Sequence, residues 1–325
     1  MTFTFIELCS GCGGLSSGLI NAGFQPLALI ERDKSAYETL KLNHKEANVI
    51  LADITKVDYF AFGDVDLVCG GIPCQSFSIA GKREGIHSEN GQLVHTFAEC
   101  VRKINPKMFL IENVKGLVNI NKGDTLHYIL SLFPSYSIKY KVLNAVNFGV
   151  PQKRERLFIV GSRLNGEYAF PPPADEILNL SSVLTGRPAD DLCASYSAEK
   201  QRLFAQIPPG GCWVDLPLAE QKTYLKKSYG SGGGKRGILR RLSFDEPCLT
   251  ILCSPSQKQT ERCHPAEVRP LSVRESARIQ TFPDDYVFVG TMNSQYKQIG
   301  NAVPVKLAEA VGRSIIKYLQ RCSHL

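Results

Sequence analysis

The 325-residue sequence has no apolar run approaching the roughly 20 residues that a helix needs to cross a bilayer, so a membrane protein is not predicted. No Lys or Arg precedes Arg32, so the basic lead-in of a secretory signal is missing. The eleven cysteines are an odd number scattered over a long chain, which favours free thiols in a reducing cytoplasm over a disulfide framework. We find no internal repeat, and the composition is neither disordered nor collagen-like. We expect one large or two modest globular domains.

Positive charge is concentrated in one segment. The net charge is +7, and the stretch from residue 222 to residue 241 contains seven basic residues and no acid, so it accounts for the whole surplus. The segment also contains tyrosines and a glycine loop. It is either a solvated basic face or a surface that follows the phosphates of a nucleic acid. The basic residues are Lys222, Lys226, Lys227, Lys235, Arg236, Arg240 and Arg241.

The first half of the chain alternates between strand-like and helix-like patterns. This alternation predicts an α/β fold, with a mostly parallel, Rossmann-like sheet and helices on both of its faces. Strands are predicted at residues 3–8, 26–31, 48–51, 65–70, 108–111, 138–143 and 156–161, and helices through about Ala22 and at 34–43, 95–104 and 125–133.

The alternation stops at Pro171-Pro172-Pro173, which marks a domain boundary. Residues 177 to about 290 are rich in Gly, Pro, Ser and basic residues, which is typical of a smaller domain built from loops. Pro304 then opens a predicted helix. Its apolar residues recur at helical spacing and must pack against another element. They are Ala308, Val311, Gly312, Ile315 and Leu319.

The first predicted strand leads into a glycine cluster, Gly11, Gly13 and Gly14, and Glu31 ends the second strand twenty residues after Gly11. Glycines allow a ligand to approach the backbone, and a carboxylate at this distance accepts hydrogen bonds from ribose hydroxyls. The pattern predicts a nucleoside or dinucleotide site. Ser16 replaces the third glycine of the dinucleotide fingerprint, which weakens the interpretation as a pyrophosphate site. Asp53, after the third strand, is either a further ligand contact or a helix cap.

Three further groups carry candidate chemistry. Cys74, in Pro73-Cys74-Gln75, follows a predicted strand at the sheet edge where such folds bind ligands, and it is either a nucleophile or a buried thiol. Glu112 ends the next strand, as a proton donor or as a solvated strand end. Arg154 and Arg156 form either a clamp for phosphate and a base carbonyl or ordinary surface charge. We do not expect a metal site, because the Cys9–Cys12 pair has only distant, irregularly spaced partners.

Taken together, these motifs resemble those of bacterial-type DNA cytosine-5 methyltransferases, in family order over nearly the whole chain. Cys9 and Thr281 depart from the family pattern, standing where Phe and Gly are frequent. The matching segments are Glu7–Gly14, Glu31 and Asp53, Pro73-Cys74-Gln75, Glu112-Asn113-Val114, Gln152 with Arg154 and Arg156, residues 269–284, and residues 298–303.

The resemblance implies the methyltransferase fold that binds S-adenosylmethionine, with S-adenosylhomocysteine as product and no metal. It implies that Cys74 adds to C6 of a flipped cytosine and that Glu112 protonates or hydrogen-bonds N3. Arg156 holds the base and Glu112, Arg154 contacts nearby backbone, and the loop from Ser76 to Gly91 closes over the base. The implied cofactor residues are Gly11, Gly13, Gly14, Glu31, Asp53, Pro73 and Asn301.

The expected domains are a catalytic domain, residues 1–176 with 296–325, and a target-recognition domain, residues 177–295. The expected partner is double-stranded DNA, bound by a monomer, with a restriction endonuclease as functional rather than physical partner. Two alternatives stay open at this point: an RNA (tRNA) cytosine-5 methyltransferase and a nicotinamide-dependent oxidoreductase. The predicted DNA-binding residues are Lys226, Lys227, Arg236, Arg240, Arg241 and Thr250.

Overall fold

The computed structural model describes residues 2–73, 89–188, 191–230, 237–255, 257 and 261–323. The chain divides into two compact units. The first comprises Met1–Phe148, Glu155–Pro173 and Val303–Leu325, and the second comprises Gly149–Arg154 and Ala174–Ala302. The segment Glu155–Pro173 of the first unit ends at the predicted proline boundary. Residues 149–154, 174–176 and 296–302, which we expected in the catalytic domain, cluster with the second unit.

A seven-stranded sheet forms the centre of the first unit, in the order β3-β2-β1-β4-β5-β7-β6. The first five strands run parallel, whereas β7 is antiparallel to both of its neighbours. The strands are β1 (Thr4–Leu8), β2 (Gln25–Glu31), β3 (Asn48–Leu51), β4 (Leu67–Gly71), β5 (Met108–Val114), β6 (Ser137–Asn144) and β7 (Glu155–Ser162).

The central strands are almost continuous apolar runs. Phe5, Ile6 and Leu8 of β1 have no exposed surface, and neither do Phe109 and Leu110 of β5. Such runs are typical of parallel strands with both faces covered, because neither face can carry polar side chains. The predicted mostly parallel α/β fold is confirmed.

Helices connect these strands and also occur in the second unit. None of those in the described part of the chain combines the length and hydropathy that a bilayer crossing needs. In chain order they are α1 (Gly14–Ala22), α2 (Lys34–Asn43), α3 (Glu89–Ile104), α4 (Asp124–Ser131), α5 (Ala198–Ala205), α6 (Leu218–Leu225), α7 (Val273–Ile279), α8 (Met292–Asn301) and α9 (Val305–Ser323).

The apolar stripe predicted after Pro304 is buried along α9, which packs against α1. Two glycines allow this close approach. A Cβ on Gly18 of α1 would lie 2.5 Å from the Val305 carbonyl oxygen, and a Cβ on Gly312 would lie 2.8 Å from Cβ of Ala22. α1 in turn follows the glycine turn after β1, so this packing fixes the helix that begins at the candidate cofactor site.

The second unit is built largely from loops, as predicted, around a small core of its own. A two-stranded parallel ribbon pairs Gln152–Lys153 with Cys248–Leu249. Helices α5 and α6 of this unit are not among those predicted from the sequence. They have eight residues each, too few to show a clear helical period. The core consists of Tyr196, Leu203, Phe204, Ile207, Leu216, Leu225, Ile238, Leu239 and Cys263.

Candidate active site

The glycine turn after β1 has the backbone geometry that we expect of a ligand-binding loop. Gly11 and Gly13 have φ angles of +56° and +88°, which favour glycine. The Gly13 N–H donates to the Ser10 carbonyl oxygen over 3.0 Å, and α1 begins at Gly14. A Cβ on Gly11 would meet no atom within 4 Å, so this backbone faces open space.

Glu31 ends β2 and holds the glycine turn. Its Oε2 accepts the Gly11 N–H over 2.7 Å, and its Oε1 accepts the N–H groups of Arg32 and Asp33 over 2.8 Å each. A carboxylate offers about four acceptor positions, and these three bonds leave capacity for a hydroxyl donor. The two residues predicted to form one site are therefore in direct contact.

Asp53 caps a single helical turn at residues 54–56. Its Oδ1 accepts the Thr55 N–H over 2.9 Å and the Thr55 hydroxyl over 2.8 Å, and these bonds lower the pKa of Asp53. The cap interpretation therefore describes its local structure.

Glu7 lies beneath the same loop and was not singled out from the sequence. Its carboxyl group is almost fully buried at the end of β1, where it accepts a hydrogen bond from the equally buried Ser16 hydroxyl of α1. Burial raises the pKa of Glu7 to about 8, and the negative charges of Glu31 and Glu112 add to this effect. In the sequence, Glu7 stands out only as the first residue of the family-like segment Glu7–Gly14, and no local pattern indicates a buried acid that links β1 to α1.

The end of β4 is fixed beside the end of β5. Gly71 is the register partner of Glu112, and the Asn113 side-chain amide donates to the Ile72 carbonyl oxygen over 2.6 Å. Pro73 is exposed. The predicted nucleophile Cys74 follows directly and lies outside the described residues, as does most of the predicted lid from Ser76 to Gly91.

Glu112 and Arg156 form an ion pair, in which Arg156 Nε lies 2.9 Å from Glu112 Oε1. The two side chains are only 10% and 14% exposed, so water screens the pair poorly. Arg156 lies opposite Val114 in the antiparallel pairing of β5 and β7, which places it diagonally from Glu112 on the same face. Gly71 leaves room for the carboxylate, because a Cβ there would be 3.3 Å from Glu112 Oε2.

Arg154 has a different environment from Arg156, because the chain is not in a strand at residue 154. Its guanidinium is fully buried in the second unit and donates to three backbone carbonyls. The acceptors are Ile251 over 2.9 Å, Gly300 over 2.8 Å and Ala302 over 2.9 Å. Arg154 therefore fixes backbone in this unit.

Gln280 extends this network and was not predicted as a site residue. The fully buried Gln152 accepts the Ile251 N–H over 2.9 Å and donates to Gln280 Oε1 over 2.9 Å. Gln280 donates to the Ile299 carbonyl oxygen over 2.7 Å. Gln280 thus holds the Ile299 carbonyl of α8, and Arg154 holds the carbonyls directly before and after Asn301. Asn301 Oδ1 itself accepts from the Cys253 thiol over 2.9 Å.

The predicted DNA-binding residues differ in how far their side chains are available. Lys226 and Lys227 are exposed at the end of α6, whereas Arg236 lies outside the described residues. The Thr250 hydroxyl donates to the Lys153 carbonyl oxygen over 2.9 Å. Arg241 donates to several backbone carbonyls, Ile207 at 2.9 Å and Pro265 at 3.1 Å among them, so its guanidinium is occupied within the fold.

Metal-ligating residue types do not converge in the described part of the chain, where no group of three or more His, Cys, Asp or Glu side chains could hold an ion. Among the described residues, no disulfide joins Cys9, Cys12, Cys248, Cys253 or Cys263. Burial raises the pKa of Cys9 and of Cys248 to about 12. These two thiols are therefore neutral at pH 7.

Comparison with known proteins agrees with this geometry. The family model described as C-5 cytosine-specific DNA methylase matches residues 3–317. The Type II methyltransferase M.Eco47II of Escherichia coli is 47% identical, over 98% of this chain and 80% of that protein. The Type II methyltransferase M.Sau96I of Staphylococcus aureus is 46% identical, over 98% of this chain and 77% of that protein.

Among solved structures, the Dnmt2 methyltransferase of S. pombe has a TM-score of 0.71 at 17% identity, covering 98% of this chain and 99% of that one, which shows a shared fold. The family match leaves the nicotinamide-dependent oxidoreductase without support. The family model spans both units and includes the segments of Glu31, Glu112 and Arg156. This chain therefore belongs to the C-5 cytosine-specific DNA methylase family and is a DNA cytosine-5 methyltransferase.

Proposed function

We propose that Glu112 and Cys74 activate the target cytosine together. The Cys74 thiolate adds to C6 while Glu112 donates a proton or hydrogen bond to N3, so that C5 becomes a carbon nucleophile. After C5 takes the methyl group, the C5 proton passes to water, the C6–S bond breaks to release the Cys74 thiolate, and any proton on N3 returns to Glu112, which restores the aromatic ring and the enzyme. The observation that carries this proposal is the shielded pair of Glu112 and Arg156 at the end of β5, beside Gly71 at the end of β4.

Arg156 keeps Glu112 in place for this role. An arginine at 2.9 Å orients the carboxyl group and stabilises it when it has given up its proton. The target base is inaccessible inside a duplex and must be flipped out, at a cost of a few kcal/mol. The flipped base loses its contacts with water when it enters the site, and the shielded Glu112–Arg156 pair offers it polar groups in their place.

The residues of the first unit fit S-adenosylmethionine, which supplies a methyl group on a sulfonium when bound. Gly11 presents backbone to open space, and Glu31 beside it has acceptor capacity for a ribose hydroxyl. Asp53 Oδ1 already accepts the helix-cap hydrogen bonds from Thr55, and we assign Oδ2 to the adenine end of S-adenosylmethionine. Gly13, Gly14 and Pro73 complete the proposed cofactor residues of this unit, and Asn301 of the second unit is proposed from the family resemblance.

The second unit is proposed to recognise a short sequence in duplex DNA, with a monomer of this chain as the functional form. Its exposed Lys226 and Lys227 suit phosphate contacts, which orient the protein on the duplex without reading sequence. Because the relatives are named Type II methyltransferases, we propose that this enzyme modifies DNA against a restriction endonuclease that reads the same sequence.

The proposal is tested by expressing the chain in cells without other cytosine methylation and bisulfite-sequencing their DNA. We expect 5-methylcytosine at one short recurring sequence with the wild type and none with Cys74→Ser. Appreciable methylation by Cys74→Ser would contradict the covalent scheme. Transfer of a labelled methyl group to tRNA in place of duplex DNA, measured side by side, would support the RNA alternative instead.

A further inference from the structure

Three of the five buried side-chain polar atoms without a hydrogen-bond partner in the described part of the chain belong to neighbouring residues of the second unit. In the described part of the chain, Tyr196 Oη, Arg240 Nε and Arg262 Nε are buried and have no hydrogen-bond partner. The three residues are neighbours: the backbone N–H of Cys263 donates to the Arg240 carbonyl oxygen over 3.0 Å, and the charge of Arg262 acts on Tyr196. Buried donors without acceptors are costly, so such a group of them needs an explanation.

The surrounding carboxylates do not satisfy these donors. Arg262 is 8% exposed, and the nearest buried acid, Glu261, is already held by Lys200 Nζ at 2.6 Å and by the Leu239 N–H at 2.9 Å. Arg262 Nη1 donates only to the carbonyl oxygen of Glu261, over 2.7 Å. Burial and the like charge of Arg240 lower the pKa of Arg262. The fold therefore holds two neighbouring guanidinium groups with too few acceptors.

Arg241 shows what a structural arginine looks like in this unit. It follows Arg240 directly in the chain, yet its guanidinium donates to four backbone carbonyls at 2.9 to 3.4 Å. Arg240, by contrast, has a looser side-chain contact among the described residues, 3.5 Å from the exposed carboxylate of Glu246. A ligand that enters from solvent can displace such a contact at little cost.

We propose that Arg240, with the buried charge of Arg262 behind it, binds acceptor atoms of duplex DNA. The proposal rests on the function proposed above, in which this unit binds DNA. Arg240, 23% exposed, makes the contact, and Arg262 is a positioning residue behind it whose charge draws acceptors to the site. Guanine O6 and N7 and the phosphate oxygens offer the same acceptor chemistry to a guanidinium.

The test compares Arg262→Met and Arg240→Gln with Arg241→Met in the full-length protein. Thermal unfolding is measured without DNA. Affinity is measured on two short unmethylated duplexes, one containing the sequence that the enzyme methylates (the methylated-sequence duplex) and one with that sequence scrambled. We expect Arg262→Met to unfold at the same or a higher temperature than the wild type, because it removes an unsatisfied charge. We also expect Arg262→Met and Arg240→Gln each to bind the methylated-sequence duplex about 10-fold more weakly. Arg241→Met should unfold at a lower temperature.

Both sources of acceptor have a distinct outcome. A loss confined to the methylated-sequence duplex identifies a base edge, and an equal loss on both duplexes, with a salt slope reduced by about 1, identifies a phosphate. Unchanged affinity of Arg240→Gln and Arg262→Met for both duplexes would overturn the proposal, and Arg240→Gln decides alone if Arg262→Met does not fold. Failure of the wild type to methylate DNA would instead refute the proposed function.

Discussion

The ion pair between Glu112 and Arg156 allows a stability effect to be separated from a catalytic one. Glu112 and Arg156 are each replaced by methionine, singly and together. Each single variant leaves one poorly exposed charge without its partner, and breaking a buried pair costs about 3–5 kcal/mol. Because the Glu112 and Arg156 side chains are still 10% and 14% exposed, we expect the lower end of this range, a loss of about 3 kcal/mol in the free energy of unfolding, for each single variant.

The double variant removes both charges. Replacing a whole buried pair by apolar groups is often nearly neutral, so we expect the double variant to unfold close to the wild type and to regain about 3 kcal/mol relative to either single variant. Under the proposed mechanism methyl transfer behaves differently, because Glu112 must give a proton or hydrogen bond to N3 of the cytosine. We expect a fall of about 100-fold or more for Glu112→Met, with no recovery in the double variant.

Urea unfolding measures the stability of the four proteins, and transfer of a labelled methyl group to duplex DNA measures their activity. Glu155→Met is the matched control, because Glu155 pairs at 2.9 Å with Lys115 while both are about half exposed, and it should cost less than about 1 kcal/mol. The reasoning is refuted if activity returns together with stability in the double variant, since Glu112 would then act only through the fold.

Three further changes test the described structure. Arg154→Met should lower the free energy of unfolding by about 3 kcal/mol, since three carbonyls lose a buried charged donor, and an unshifted urea midpoint would contradict this. The pKa of Glu7 is raised to about 8 in the folded protein, so the stability that the neutral acid contributes is present below pH 4.5 and is lost as the pH rises through 8. Between these pH values the free energy of unfolding of the wild type should fall, relative to Glu7→Gln, by up to about 1 kcal/mol per pH unit. Parallel curves of stability against pH for the two proteins would argue against a buried neutral acid. Thr281 has a φ of +63°, which a β-branched residue tolerates poorly, so Thr281→Gly should gain about 1 kcal/mol in the free energy of unfolding, whereas Thr281→Ala, which keeps a Cβ, should gain less.

The sequence predicted the strands and most helices of the first unit to within a few residues. Its apolar runs are bounded by glycine, proline or polar residues, so each strand is encoded locally. The position of Glu112 at the end of such a run was enough to place it at the sheet edge. The same holds for Glu31 and the glycine turn, because a strand, a turn and a helix follow one another directly in the chain.

The tertiary structure alone decided what the buried polar side chains contact. Arg154 reaches carbonyls 97, 146 and 148 residues away, and Gln152 pairs with Gln280 across 128 residues. It also distinguished Arg241, whose donors are occupied, from Arg240 and Arg262, which have unsatisfied ones. Periodicity encodes which face of an element is buried, but a hydrogen bond between distant loops depends on how those loops pack, and no local pattern records that.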